Sequence, residues 1–201
     1  MSLDIREEPL TSAALSEHAA IPIAFVVDRI LEVRLLDGGR GGISLTETAV
    51  TDPYVKDYDA LEGASPQCWP GRFDVSNWGL ITARRDGASA GGAVIASKTP
   101  GLHMLGGRDD VAVLWDIRVS PRERGGGIGA ALFRAAEDWA RARGCRWFKI
   151  ETQNVNVPAC RFYHKMGCTL GAIDRYAYPG QPAEVRLLWW KALETPDTET
   201  G

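Results

Sequence analysis

Long hydrophobic runs are missing from this chain of 201 residues. The longest apolar stretch, residues 21–27, falls far short of the roughly 20 residues that a membrane-crossing helix needs, so no membrane association is expected. A basic surplus is missing too. With 23 Lys and Arg against 26 Asp and Glu the formal net charge is -3, which leaves nothing to track a phosphate backbone, and no nucleic-acid partner is expected. The four cysteines, Cys68, Cys145, Cys160 and Cys168, form no C-x-x-C pair. They share no ligand spacing with His18, His103 or His164, so no metal site is expected and the thiols read as reduced and mostly buried. The opening residues Met1-Ser2-Leu3-Asp4-Ile5-Arg6-Glu7-Glu8 are charged where a signal peptide would turn apolar, and the expected location is cytoplasmic.

What the chain does have is a globular composition. Apolar residues make up 45% and charged residues 24%, which excludes disordered and low-complexity architectures and supplies enough apolar surface for a core. A single domain over residues 1–201 is expected, with a poorly defined N-terminal segment over 1–24. Residues 25–36 and 43–50 read as strands on either side of Gly38-Gly39-Arg40-Gly41-Gly42, and so as a hairpin. Residues 52–77, rich in Pro, Asp, Gly and Ser, read as a long loop with at most one helical turn. Loops of that length in compact domains are often functional. Strands at 78–85 and 90–97 flank Asp86-Gly87, a dipeptide suited to a tight hairpin turn.

A second Gly- and Pro-containing loop, 99–110, precedes an apolar central strand at 111–119 whose polar interruptions, Asp116 and Arg118, demand an explanation. The clearest helix lies between Gly125 and Gly144, because Ile128, Ala131, Leu132, Ala135, Ala136 and Trp139 fall on one face. A strand at 146–151, a helix at 157–166 with Pro158 in its first turn, and strands at 168–178 and 183–191 complete the chain. This order predicts an α+β fold: a mixed, mostly antiparallel sheet with helices packed on both faces and one βαβ unit near the middle.

The segment from Val119 to Ala130 joins the central strand to the strongest helix. A helix N-terminus presents unpaired N–H groups and partial positive charge, and glycines remove the side chains that would keep an anion away. Gly125-Gly126-Gly127-Ile128-Gly129 therefore reads as a phosphate or pyrophosphate loop, with Arg122 and Arg124 adding positive charge. A Walker A loop is excluded, since Gly129-Ala130-Ala131 lacks both the lysine and the hydroxyl. A dinucleotide fingerprint fits loosely as Gly125-x-Gly127-x-x-Ala130, with Glu151 about 20 residues further on. Against it stand the late position of the motif, the hairpins ahead of it and the short sequence that follows.

The third pattern, Arg124-x-x-Gly127-x-Gly129, resembles the GNAT superfamily of acetyl-CoA-dependent N-acetyltransferases. The run Asn156-x-x-Ala159-x-x-Phe162-Tyr163-x-x-x-Gly167 resembles the second cofactor segment of the same superfamily. Glu151-Thr152-Gln153-Asn154-Val155-Asn156-Val157-Pro158-Ala159-Cys160, with Gly171-Ala172-Ile173-Asp174 and Val55-Lys56-Asp57-Tyr58-Asp59, is similar to the streptothricin acetyltransferase branch. The likeness extends from about residue 25 to the end. It departs from the pattern at Gly126, where a basic residue is common, and at Cys168, where Phe is usual.

The resemblance implies a GNAT-like fold with a cofactor-binding core at about 111–178 and acetyl-CoA as co-substrate. Its pyrophosphate would lie on the amides of Arg124, Gly125, Gly126, Gly127, Ile128, Gly129 and Ala130, and its pantetheine arm beside Ile117, Arg118 and Val119. A backbone N–H of Val119 or Arg118 would meet the thioester carbonyl. Asn156, Ala159 and Phe162 would contact the cofactor, and Tyr163 would protonate the departing sulfur. Read from the residues alone, Tyr163 also fits a packed aromatic and Asn156 a helix cap. Asp116 and Glu151 are candidates to take the amine proton or attract a cationic substrate, with solvated strand-end carboxylates as the plainer reading. An acyl-cysteine route through Cys160 with His164 rests on a spacing that many structural pairs share. The expected partner is a small-molecule amine, with a protein or peptide N-terminus and a silent CoA-binding sensor as alternatives. A homodimer is compatible with all of this.

Overall fold

The computed structural model describes residues 2–193. In chain order the elements are β1 (Leu3–Glu8), α1 (Ser12–Ala19), β2 (Phe25–Leu35), β3 (Ile43–Lys56), β4 (Trp78–Arg85), β5 (Ala88–Ser97), β6 (Val111–Val119), α2 (Ile128–Ala142), β7 (Trp147–Gln153), α3 (Val157–Lys165), β8 (Thr169–Asp174) and β9 (Arg186–Ala192). The chain divides into two compact units. Among the described residues one holds 2–23, 58–149 and 191–193, and the other holds 24–57 and 150–190. The division falls within β7 and within β9.

In the first unit the strands follow the order β1-β4-β5-β6-β7. The segment left open in the sequence supplies both β1, antiparallel to β4 from Leu3 opposite Arg85 to Glu8 opposite Leu80, and α1. Thr11 caps α1, its hydroxyl accepting from the Ala14 amide at 3.2 Å. The β4–β5 turn is the two-residue turn that Asp86-Gly87 predicts, with both residues at positive φ (49° and 86°). The ladder between β5 and β6 is antiparallel and slips between Val94, opposite Asp116, and Ile95, opposite Leu114. Trp115 is therefore the extra residue of a β-bulge, a device that bends a strand and re-aims its side chains.

Of the predicted apolar face of α2, Ile128, Leu132, Ala136 and Trp139 are buried and Ala131 and Ala135 half-buried, while Phe133 and Ala140, outside that face, are buried as well, and the helix packs on β4, β5 and β6. Ile128, Leu132 and Phe133, fully buried, each stabilise by about 1.5–3 kcal/mol. Phe133 meets Phe148 edge to face at 5.4 Å. Trp139 donates to Glu7 at 2.9 Å and lies beneath the Arg143 guanidinium at 3.9 Å. The predicted 52–77 loop contributes a 3-10 turn at Pro66–Gly71 that buries Pro66 and Trp69.

In the second unit β2 and β3 form the predicted hairpin, but β3 runs to Lys56 rather than stopping near residue 50. The register steps from Val27 opposite Tyr54 to Arg29 opposite Ala49. Residues 50–53 thus stand outside the ladder, and Pro53, which has no N–H to donate, is accommodated there. The end of β7, β9 and β8 follow as neighbours, with β8 antiparallel to β9 from Thr169 opposite Trp190 to Asp174 opposite Arg186. Both final strands are shorter than the sequence predicts. Asn156 caps α3 by accepting from the Ala159 amide at 3.2 Å, and α3 packs on β2. Among the described residues no helix is long and apolar enough to cross a membrane. Three cysteines are buried, Cys68 is exposed, and all four are free thiols.

One close approach fixes how α2 sits on its sheet. A Cβ added at Gly79 of β4 would overlap the Trp139 indole. Gly79→Ala should therefore lower stability by about 1–3 kcal/mol, the usual cost of overpacking, measured by urea unfolding. Unchanged stability would show that α2 shifts freely on the sheet.

Candidate active site

In the first unit, β6 leads into the glycine loop through a 3-10 turn at Pro121–Glu123. The loop is anchored at several points. The Ser120 amide bonds the Ala90 carbonyl at 2.9 Å, Arg85 pairs with Glu123 at 2.8 Å, and Arg124 donates to the carbonyls of Val119 (3.2 Å) and Pro22 (3.0 Å). Arg124 is thus engaged with the backbone. Gly125 and Gly127 take φ of 81° and 83°, a region that side chains other than glycine rarely occupy. A Cβ at either position would meet nothing within 4 Å, so the space before the helix is open. Gly127 is the N-cap of α2 and offers no side-chain cap. The first amides of the helix therefore lack an internal acceptor, and the macrodipole adds partial positive charge there. A pyrophosphate fits this cradle.

Ladder parity sorts the amides of β6. Ser120 and Ala90 form a hydrogen-bonded position, and the register continues through Val119 opposite Gly91, Arg118 opposite Gly92 and Ile117 opposite Ala93. Since such positions alternate along an antiparallel pair, the Arg118 N–H points at β5, whereas those of Ile117 and Val119 point away from it. Of the two amides expected to meet a thioester carbonyl, that of Arg118 faces β5 and that of Val119 faces away from it.

The side chains of Asp116 and Arg118 explain each other. Arg118, 1% exposed, donates from Nε to Oδ1 and Oδ2 of Asp116 at 2.9 and 3.1 Å and from Nη2 to Oδ2 at 3.0 Å. Its fork also grips Asp59, with Nη1 at 2.6 Å and Nη2 at 2.8 Å from separate oxygens. His18 Nε2 lies 2.8 Å from Oδ1 of Asp116, whose side chain is 7% exposed. Burial alone would raise the Asp116 pKa, but hydrogen bonds and charge from His18 and Arg118 hold it below the usual carboxylate range. Both oxygens are committed to these partners. Asp116 is thus a buried carboxylate paired with Arg118 and His18. Neither His18 nor Asp59 was marked by any local pattern, though Asp59 lies in the Val55 to Asp59 stretch that carries the family likeness.

In the second unit Glu151 stands on β7 with its side chain 28% exposed. It accepts from the Tyr178 hydroxyl at 2.8 Å, which in turn accepts from the Gln153 amide at 2.7 Å. Arg186 lies 3.8 Å from Glu151 and 2.7 Å from Asp174. Burial, then the neighbouring Glu151 charge, pushes the Tyr178 pKa up, so Tyr178 stays a donor and holds Glu151 as an aimed carboxylate. In the sequence Tyr178 stands only at the end of an expected strand. Tyr163 of α3 is buried, 6% exposed, with its ring 5.5 Å from that of Phe162. Asn156 serves as the helix cap, and Ala159 supplies the amide it caps. Cys160 is buried, its Sγ 3.8 Å from the Gln153 carbonyl, and burial pushes its thiol up to about 12. A nucleophilic thiolate is therefore disfavoured at neutral pH, and the acyl-cysteine route loses its chemical basis.

Comparison with known proteins identifies the family. The model of the Acetyltransferase (GNAT) family matches residues 46–168, and the chain belongs to that family. It is 29% identical to the streptothricin acetyltransferase of Escherichia coli over 83% of this chain and 84% of that one. The streptothricin acetyltransferase of Streptomyces lavendulae is likewise 29% identical, over 86% of each chain. Among solved structures, a nourseothricin acetyltransferase superposes with a TM-score of 0.73 at 26% identity, covering 96% of this chain and all of that one. A Bacillus anthracis protein described as a streptothricin acetyltransferase, solved with acetyl coenzyme A, gives 0.70 at 27% identity over 96% and 99% of the two chains. The protein is an acetyl-CoA-dependent N-acetyltransferase with the α+β fold that its sequence predicts, and the dinucleotide reading of the loop falls away.

The loop geometry makes a specific demand. Gly127→Ala carries the strain of a positive φ, and Gly127→Asp adds a carboxylate to a site formed by amide dipoles. Gly127→Asp should weaken CoA binding by at least roughly tenfold more than Gly127→Ala, a difference of about 1.4 kcal/mol, measured by calorimetry. Equal affinities in the two variants would remove the pyrophosphate from this loop.

Proposed function

We propose that this enzyme acetylates a primary amine on a small cationic molecule of the streptothricin class, in the cytoplasm, where acetyl-CoA is made. The observation that carries the reading is the likeness to the E. coli streptothricin acetyltransferase across 83% of this chain. Acetyl-CoA supplies an acetyl thioester whose carbonyl accepts the amine and whose sulfur leaves as a thiolate.

The chain's own residues divide the remaining tasks. The amides of Gly125, Gly127, Ile128, Gly129 and Ala130 hold the pyrophosphate at the start of α2, while that of Gly126 donates to the Glu123 carbonyl. The N–H groups of Ile117 and Val119, turned away from β5, orient the thioester carbonyl and stabilise the charge that grows on its oxygen. Glu151, held by the Tyr178 hydroxyl, attracts the ammonium form of the acceptor and takes its proton, directly or through water. Tyr163 keeps its proton at neutral pH, the ordinary phenol pKa being about 10, and donates it to the departing sulfur. Phe162 and Ala159 support it on α3, and Asp116 acts only by fixing its neighbours.

Thiol release from acetyl-CoA, followed by mass spectrometry of the product, tests the acceptor. A streptothricin should gain one acetyl group on an amine nitrogen; acetylation of peptide N-termini with none on streptothricin would replace this reading. Glu151→Gln should raise KM for the amine and weaken the salt dependence of kcat/KM. Tyr163→Phe should lower kcat by about 10²-fold, the lower end for general acid catalysis because a thiolate leaves readily, with CoA affinity unchanged. A Tyr163→Phe enzyme with full kcat where chemistry limits turnover would assign Tyr163 to packing alone.

A further inference from the structure

Three contacts from one N-terminal stretch converge on the segment that links β6 to the glycine loop. His18, in the last turn of α1, meets Asp116. The Ile21 carbonyl accepts from Arg118 Nη1 at 3.3 Å, and the Pro22 carbonyl accepts from Arg124 Nη2 at 3.0 Å. We infer that His18, with the Ile21–Pro22 carbonyls behind it, is a positioning element for acetyl transfer: through Asp116, Arg118 and Arg124 it sets the backbone that presents the Ile117 and Val119 amides and the pyrophosphate loop. This rests on the proposed role of those two amides toward the thioester carbonyl.

The burial of the network argues for this role. The side chains of His18, Asp116 and Arg118 are 2%, 7% and 1% exposed. Ions taken so far out of water recover their desolvation cost only with accurate geometry, and apolar residues of similar volume would often stabilise a fold as well. Such a network specifies position more than it adds stability. The sheet also makes room for the imidazole: a Cβ on Gly92 of β5 would stand 2.5 Å from His18 Nδ1. Gly92 lies opposite Arg118 in the ladder, so imidazole, strand and guanidinium are stacked at one register position. Arg84 pairs with Glu17 at 2.7 Å and ties α1 to β4 independently, so the helix stays docked when the His18 contact is lost.

The inference is tested with three variants of the full chain. His18→Leu removes the donor to Asp116 and keeps the bulk; His18→Gln restores an N–H at similar reach; Gly92→Ala displaces the imidazole without altering any charged group. His18→Leu and Gly92→Ala should each lower kcat by at least about tenfold, since a misplacement near 1 Å can cost about 10²-fold, with the amine KM held. His18→Gln should recover most of the loss. The second readout needs no acceptor: the wild type should prefer acetyl-CoA over CoA in calorimetry, and the preference should vanish in His18→Leu and Gly92→Ala and return in His18→Gln. This arm stands even if streptothricin proves to be the wrong acceptor, which wild-type turnover decides separately. Should His18→Leu fail to fold, Gly92→Ala and His18→Gln carry the same comparison. Retention of wild-type kcat and acetyl preference in His18→Leu or Gly92→Ala would overturn the inference, as would equal losses in His18→Gln and His18→Leu.

Discussion

A single guanidinium inside the first unit holds two carboxylates and a chain carbonyl in register, and the placement of the acetyl-transfer strand follows from it. Arg118 carries a full charge at 1% exposure, which no protein interior tolerates unless its donors are met. Asp116 and Asp59 meet them from opposite ends of the planar fork, and Ile21 supplies a further acceptor. Removing both carboxylates would strand a buried charge, at a cost of about 3–5 kcal/mol. The loop around Asp59, the residues after α1 and the end of β6 are therefore fixed together. A lysine could not do this, because a point charge lacks the bidentate geometry that orients both carboxylates.

Next to this polar clamp, the bulge at Trp115 decides what β6 presents. The extra residue shifts the register between Leu114 and Asp116 and places Trp115 against Trp78 and Phe73, with ring centroids 5.2 Å apart in each case. Aromatic packing fixes the bulge on one side and the ion network fixes it on the other. Beyond it the alternation of amides resumes, which is why Ile117 and Val119 face away from β5 while Arg118 does not. The charge balance of the second unit has the same logic on a smaller scale. Tyr178, kept protonated by burial and by the Glu151 charge, holds Glu151 oriented and still 28% exposed.

The parts of this architecture set by neighbours in sequence were legible in it. The apolar stripe of α2, the turn at Asp86-Gly87 and the glycine loop depend on residues a few positions apart, and all three stand where their patterns put them. The strand β1 was hidden because an edge strand carrying Asp4, Arg6, Glu7 and Glu8 shows no apolar alternation. The extension of β3 was hidden because Pro53 signals an end to a strand, and only the unpaired stretch 50–53 lets it pass. Asp116 and Arg118 stood out as polar residues in an apolar strand, but their partners did not. His18 lies 98 positions from Asp116 and Asp59 lies 59 positions from Arg118, in segments with no periodicity of their own. Carboxylates and histidines at such distances come together only through topology, so the sequence marked Asp116 as chemically interesting and the fold supplied its partners.

The claim on which the account rests is that acetyl-CoA is held by the backbone amides at the start of α2. Amide hydrogen exchange of the full chain, read by mass spectrometry with and without acetyl-CoA, tests it most directly. The account predicts slowed exchange over residues 125–130 and at Ile117 and Val119 on adding acetyl-CoA, and no such change with NAD. Unaltered exchange over 125–130 at saturating acetyl-CoA, or equal protection by NAD, would contradict it.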